Sequence, residues 1–265
     1  MLMSTNHLTD ITFKQLGLHE SLLQGIEHAG FSNCTPIQAK TLPLAMSGHD
    51  IMGQAQTGTG KTAAFLLAAM HRLLTVPLPG NEAARHEGIT QPRVFILAPT
   101  RELAVQIYKD AEIFNEVCQF KIQCIYGGAD YEKQRHALEQ GVDILIATPG
   151  RAIDYLKQKI YSLKRVEVMV LDEADRMFDM GFIKDIRYLL RRLPPPDKRL
   201  SLLFSATLSY RVSELAYEHM NNPTSVLVEA EKVTADKLKE QLFTPSNAEK
   251  IPLLLGLLQH MDPHR

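Results

Sequence analysis

Ala55-Gln56-Thr57-Gly58-Thr59-Gly60-Lys61-Thr62 lies between a short apolar run at 49–53 and a helical pattern at 61–74. Strand, glycine-rich loop and helix, in that order, form the context a phosphate-binding loop requires. Gly58 and Gly60 let backbone N–H groups approach phosphates, with Gln56, Thr57 and Thr59 completing the loop. Lys61 reaches the β- and γ-phosphates, and the Thr62 hydroxyl suits a magnesium ion. The helix N-terminus adds its partial positive charge. The general pattern opens with glycine; Ala55 stands there instead, and a single methyl group is a mild departure.

A second stretch completes the chemistry. Asp172-Glu173-Ala174-Asp175 follows the apolar run Val168-Met169-Val170-Leu171. A carboxylate at the end of a buried strand, Asp172, can hold magnesium through water. Glu173 can orient or deprotonate the attacking water, the work of a general base. Two acids at a helix start also suit ordinary capping, but capping does not explain their pairing with the phosphate loop. Together the two stretches predict an ATPase core that uses ATP and Mg²⁺.

The surrounding pattern gives the fold class. Short β-branched runs at 49–53, 93–98, 121–126, 143–147, 167–171, 200–204 and 225–229 alternate with helical segments, among them 103–118, 182–193 and 211–220. Strands separated by helices need crossover connections, hence an α/β fold with a mostly parallel, twisted sheet and helices on both faces. Continuous apolar strands fit burial on both sides. Lys61, Arg101, Arg151, Asp172 and Ser205 each come just after a predicted strand, so all fall on the carboxyl edge, where open sheets bind ligands. The stretch 76–92, rich in proline and glycine, is predicted to be a mobile surface loop. The charged segment 230–240 reads as a linker. Beyond it, 241–244 reads as a strand, and Ser246 with Glu249 as a capping box opening a helix that Pro252, a turn inside, should disturb.

Composition narrows the setting. The 265 residues are 45% hydrophobic and 22% charged, ordinary for a globular protein, with a net charge of −1. Nucleic-acid binding would therefore depend on a local patch. No apolar run is long enough to span a bilayer, and Met1-Leu2-Met3-Ser4-Thr5-Asn6 lacks the features of a signal peptide, so a cytoplasmic protein with no membrane partner is expected. Cys34, Cys118 and Cys124 have no metal-like spacing, and the histidines form no zinc pattern. Arg187, Arg191 and Arg192 on the helix at 182–193 are more simply a solvated face than a nucleic-acid contact.

Asp172-Glu173-Ala174-Asp175 resembles the signature of DEAD-box ATP-dependent RNA helicases, and other segments extend the likeness in the family's order over about 13–229. Gly30-Phe31-Ser32-Asn33-Cys34-Thr35-Pro36-Ile37-Gln38 resembles the adenine-reading segment. The resemblance implies that Gln38 bonds the adenine edge beside Phe31 and Pro36, with Phe13 as the upstream stacking aromatic. Pro99-Thr100-Arg101-Glu102-Leu103-Ala104, Gly127-Gly128 and Thr148-Pro149-Gly150-Arg151 resemble the RNA-contacting motifs. Ser205-Ala206-Thr207 resembles the motif that couples hydrolysis to strand separation, and the resemblance gives Asp175, Ser205 and Thr207 that coupling role. The implied fold is a RecA-like P-loop domain, and the implied substrate is RNA. Longer stretches, 172–192 and 203–222, look most like the bacterial RhlB-type helicases, which work with the RNA-degradation machinery.

The residues also support the RNA motifs directly. Thr148 with Pro149, and Thr100 with Arg101, read as helix N-caps whose free N–H groups and arginines suit a phosphate. Taken singly, either is equally well explained as an ordinary strand-to-helix turn. The expected organisation is a RecA-like domain with an adenine-reading extension at 1–229, a linker at 230–240 and the start of a second domain at 241–265. Nothing in the chain matches the His-Arg-x-Gly-Arg-x-Gly-Arg pattern of that second domain, which supplies arginine fingers. The expected function is thus ATP-dependent RNA unwinding, carried by a monomer, with weak turnover from this part alone. The rival expectation is a nucleotide-dependent RNA-binding module without turnover. A DNA helicase is disfavoured by the adenine segment.

Overall fold

The computed structural model describes residues 8–76, 85–86, 89–228 and 243–261. Its main sheet contains seven parallel strands: β1 (Ile51–Gln54), β4 (Val94–Leu97), β5 (Ile122–Ile125), β6 (Ile144–Ala147), β7 (Val168–Leu171), β8 (Leu200–Ser205) and β9 (Thr224–Leu227). The spatial order is β5-β6-β4-β7-β8-β1-β9. Each strand expected between 49 and 229 is present. β4, β6 and β7 are unbroken apolar runs buried throughout, as a sheet covered on both faces favours, and β8 is buried too, with its Ser201 and Ser205. Register is continuous across the sheet, for example Leu97 opposite both Ala147 and Leu171. At the centre, Gly53 of β1 lies under the Phe204 ring of β8, where a Cβ would come within 2.6 Å of the ring.

Helices pack on both sides. On one lie α1 (Glu20–His28), α2 (Pro36–Met46), α3 (Lys61–Thr75) and α4 (Arg101–Asn115), whose Leu22, Ile37, Phe65, Leu66 and Ile107 share a core with Ile96, Val170 and Leu202. On the other lie α5 (Tyr131–Glu139), α6 (Pro149–Lys157), α7 (Ala174–Asp179), α8 (Ile183–Leu190) and α9 (Tyr210–His219), packed on Phe95, Leu145, Met169 and Leu203. Alternate strand residues thus feed two separate cores.

Three expectations change. The stretch at 76–92 is not all loop: β2 (Arg85–His86) and β3 (Ile89–Thr90) form an antiparallel ribbon, and the Thr90 hydroxyl, buried, donates to the Leu138 carbonyl. Thr90 is tied down because a buried hydroxyl needs a partner, a demand that composition does not reveal. The linker at 230–240 lies outside the described residues, as do 241 and 242; Phe243 and Thr244, the described part of the expected strand, are not extended in a sheet. The helix α10 (Lys250–Met261) does form, with Ser246 Oγ and N–H both donating to Glu249 Oε2, at 2.6 and 3.0 Å. Pro252 does not disturb it. It is the third helical residue, and a first-turn N–H has no intrahelical acceptor to lose. The chain divides into two compact units, Met1–Glu229 and Ala230–Arg265. No helix among the described residues is long and apolar enough to cross a membrane.

Candidate nucleotide and nucleic-acid sites

The carboxyl edge of the sheet is laced by backbone bonds that continue past the strands: Ala55 N–H to Ser205 O, Asp172 N–H to Leu97 O, Ala98 N–H to Ala147 O and Thr148 N–H to Ile125 O. These bonds fix where each edge loop begins. β1, β8 and β7 carry the phosphate loop, Ser205 and Asp172; β4, β6 and β5 carry Pro99–Arg101, Thr148–Arg151 and Gly127. The strand order thus divides the edge into two adjoining halves.

In the first half, Gln56, Thr57 and Gly58 are exposed and Thr59 and Gly60 half-buried; Thr59 Oγ1 closes the loop on Gln56 O at 2.7 Å. Gly60 is the N-cap of α3 at φ 91°, with no side chain to cap the first turn, which leaves those N–H groups for an anion. A Cβ at Gly60 would sit 2.5 Å from Gln38 Nε2. Gln38, itself buried, donates from Nε2 to Gly60 O at 3.1 Å and accepts at Oε1 from Thr35 N–H at 2.9 Å. One Nε2 hydrogen and one Oε1 lone pair are left over, a donor–acceptor pair. The segment around Gln38 is therefore bonded to the glycine-rich loop, with Pro36 as the first residue of α2.

Phe13 and Phe31 differ from the rest. Phe13 is 3% exposed and packs in the core, so stacking on a base would require its 3-10 turn, Phe13–Leu16, to shift. Phe31 is 42% exposed, its ring 6.3 Å from that of Phe114 on α4.

Lys61 is buried and donates to Ala55 O at 2.7 Å. Thr62 follows it, half-buried. Asp172 is 3% exposed and accepts at Oδ1 from Glu173 N–H at 3.0 Å. Burial pushes its carboxyl up to about 6, with neighbouring Glu173 and Asp175 adding to the rise and Lys61 opposing it. Glu173 occupies the left-handed region at φ 51°, ψ 51°, a conformation that costs a non-glycine residue about 1 kcal/mol and collects at functional sites. Its Oε2 accepts from Arg176 Nη1 at 3.1 Å. Among the described residues no cluster of three or more His, Cys, Asp or Glu forms a cage for a metal. A magnesium ion fits this donor set nonetheless, since it takes one or two carboxylates and completes its shell with phosphate and water. Asp172 and Thr62 are the residues that would hold it.

Asp175 ties the end of β7 to the end of β8. Its N–H donates to Ser205 Oγ at 3.1 Å, and Thr207 N–H and Oγ1 both donate to its Oδ2 at 3.0 Å. Burial would raise its carboxyl, but the bonds from Ser205, Thr207 and Arg176 outweigh burial and hold it below the usual range.

In the second half, Pro99, Thr100, Arg101, Gly127, Thr148, Pro149, Gly150 and Arg151 line one open groove of about 570 Å³. Gly128, at φ 78°, is not among its lining residues. Thr100 caps α4 by accepting from Leu103 N–H at 3.3 Å; Thr148 is the extended N-cap of α6 with Pro149 at its first position, and uses no side-chain cap. The sequence reading missed what orients the arginines. Arg101 lies over the Tyr126 ring at 4.8 Å. Arg151 lies by Tyr131 and Tyr155, at 5.0 and 5.2 Å, and donates from Nη1 to Tyr155 Oη at 3.1 Å. Tyr155 Oη in turn donates to Tyr131 O at 2.6 Å. Tyr155 stands four residues after Arg151, so its place on the same helical face was available from spacing; Tyr126 and Tyr131 gave no such signal. Glu102, Asp154, Met180 and Phe182 complete the groove wall.

The DEAD/DEAH box helicase family pattern matches residues 35–215. The chain belongs to the DEAD/DEAH box helicase family. It is 57% identical over 263 residues to the ATP-dependent RNA helicase RhlB of Aeromonas hydrophila, a match covering 99% of this chain and 60% of that protein. It is 56% identical to the protein of the same name from Pseudoalteromonas atlantica, covering 99% and 61%, and to that from Xanthomonas axonopodis pv. citri, covering 99% and 45%. The chain thus spans between 45% and 61% of the length of these relatives. As a DEAD/DEAH box member, it carries the family's name-giving acids on the strand edge between the phosphate loop and the tyrosine-backed groove.

Proposed function

We propose that this chain is the nucleotide-binding and RNA-engaging part of an ATP-dependent RNA helicase. The observation that carries the reading is Asp175. Its bonds to Ser205 and Thr207 tie the acidic turn at the end of β7 to the end of β8, between the phosphate loop and the groove. Lys61 would exchange the Ala55 carbonyl for the β- and γ-phosphates. The spare donor and acceptor of Gln38 would meet the adenine edge, which presents the complementary pair. Magnesium, when bound at Asp172 and Thr62, neutralises phosphate charge. Glu173 would accept a proton from the attacking water while Arg176 holds its carboxylate in place. In the groove, Arg101, Arg151 and the N-terminal amides of α4 and α6 would bind the RNA backbone without reading bases. The likeness to RhlB proteins supports RNA unwinding as the activity of the longer protein. With it we assign the RNA-degradation machinery as partner, the cytoplasm as location, and a monomer.

A second reading, an RNA-binding module with little turnover by itself, is favoured by the chain's share of its relatives' length. An arginine finger from outside the chain would account for a factor of about 10³–10⁵. ATP turnover with and without RNA, for this chain and for a form extended to its relatives' length, separates the two. The extended form is expected to be RNA-stimulated, and its Glu173→Gln variant to bind ATP while turning over about 10²–10⁴-fold more slowly. Equal turnover in the extended form and its Glu173→Gln variant refutes the role of Glu173.

A further inference from the structure

The groove has a continuation. Asp154 and Phe182 are among its lining residues, and the helices that carry or follow them, α6 and α8, pack side by side. Lys157 is three residues beyond Asp154, on the same face of α6 one turn further. Opposite, Tyr188 of α8 has Lys157 Nζ 5.6 Å from its ring centroid and the Arg192 guanidinium at 3.3 Å. Arg192 Nη1 also donates to Tyr188 O at 2.7 Å. Both cations are exposed, and neither joins an ion pair among the described residues.

The neighbouring arginine shows the contrast. Arg187 Nη2 is bound to Glu214 and Glu218 of α9, at 3.6 and 2.9 Å, so it serves as a link between helices. The acids nearest the pair along the helices are Asp154, one of whose oxygens accepts from Gln158 Nε2 at 2.9 Å, and Asp185 on the first turn of α8. A tyrosine that gathers two unneutralised cations has the character of a single-strand track, where basic groups follow the backbone and an aromatic ring holds them in place.

We infer that Lys157, Tyr188 and Arg192 form a second RNA-binding step, which takes the phosphates of a single strand as it leaves the groove along α6. The inference rests on the groove being an RNA site. From Pro149 to Lys157 the helix covers about 12 Å, so only a strand longer than the groove would reach the step. An acidic protein segment could use the same charges, but continuity with the arginine-lined groove favours nucleic acid.

The test titrates the 265-residue chain at low salt with two fluorescent oligouridylates, one just filling the groove and one several nucleotides longer. Lys157→Glu and Arg192→Ala are expected to weaken the longer RNA by about threefold to tenfold and to leave the shorter one unchanged. For the longer RNA, Arg192→Ala should lower the slope of log affinity against log salt by about 0.7, the value for one phosphate of a single strand left without its cation. Thermal melting should stay within a degree or two, because both residues are exposed. If both RNAs weaken alike, or neither weakens, the second step is overturned. Arg151→Ala serves as the separate control: it should weaken both lengths. If it changes neither, or if the wild type binds neither RNA, the groove itself fails and the step falls with it.

Discussion

At the scale of single residues, the site sets function against stability. Asp172 is a buried acid whose ionised form is disfavoured, its carboxyl pushed up to about 6 from a usual 3.8. The sign follows from linkage. A folded value above the unfolded one means that the charged form destabilises the native state; the penalty is full above about 6 and vanishes as pH falls toward 3.8. Asp172→Asn is therefore expected to stabilise the chain at pH 7, by about 1–3 kcal/mol, while losing magnesium-dependent nucleotide binding. Urea denaturation at pH 7 and again near pH 4 checks this, and the advantage should shrink in acid. Tyr155→Phe probes the groove in the same way. It removes the hydroxyl that holds Arg151 and leaves the ring, so RNA affinity should fall about threefold to tenfold, the worth of one hydrogen bond. Nucleotide affinity should not change; a parallel loss of both would mark Tyr155 as a general packing residue. The three cysteines need no such role: burial pushes Cys34 up to about 11 and Cys124 to about 12, far from the reactive thiolate range.

At the scale of elements, the strands were legible and their supports were not. Uninterrupted apolar runs such as Val168–Leu171 announce themselves, because a strand buried on both faces favours apolar side chains at every position. The ribbon of β2 and β3 is two residues a side and too short to show a period, and the wall of the groove comes from Glu102, Asp154, Met180 and Phe182, on separate elements. Their meeting is a fact of topology that no local pattern holds. Of the candidate site, the residues proposed to hold nucleotide were readable from glycine, lysine and acid spacing. The rings that orient Arg101 and Arg151, Tyr126 and Tyr131, depend on distant packing. Arg93 is another hidden support. It pairs with Glu167 through Nε and Nη2, at 2.5 and 3.0 Å, and donates to Val76 O and Leu73 O, tying the end of α3 to the starts of β4 and β7. Both partners are largely buried. Glu167→Ala strands the guanidinium and should cost about 3 kcal/mol of stability, read by denaturation, with RNA and nucleotide affinities intact below the transition.

At the scale of the whole molecule, one sheet edge carries both proposed sites. The strand order places β7 and β8 between the phosphate loop of β1 and the groove beneath β4, β6 and β5, so the acidic turn and Ser205 lie on the path along the sheet from one half to the other. Asp175 spans that path through Ser205 and Thr207. The central claim is that the first half is an adenine-nucleotide site built around Lys61 and Gln38. Calorimetric titration of the chain with ADP and with GDP, each with magnesium, tests it most directly, alongside Lys61→Ala. The account predicts that ADP binds more tightly than GDP and that Lys61→Ala abolishes the binding of both. Equal affinity for ADP and GDP, or undiminished binding by Lys61→Ala, would contradict it.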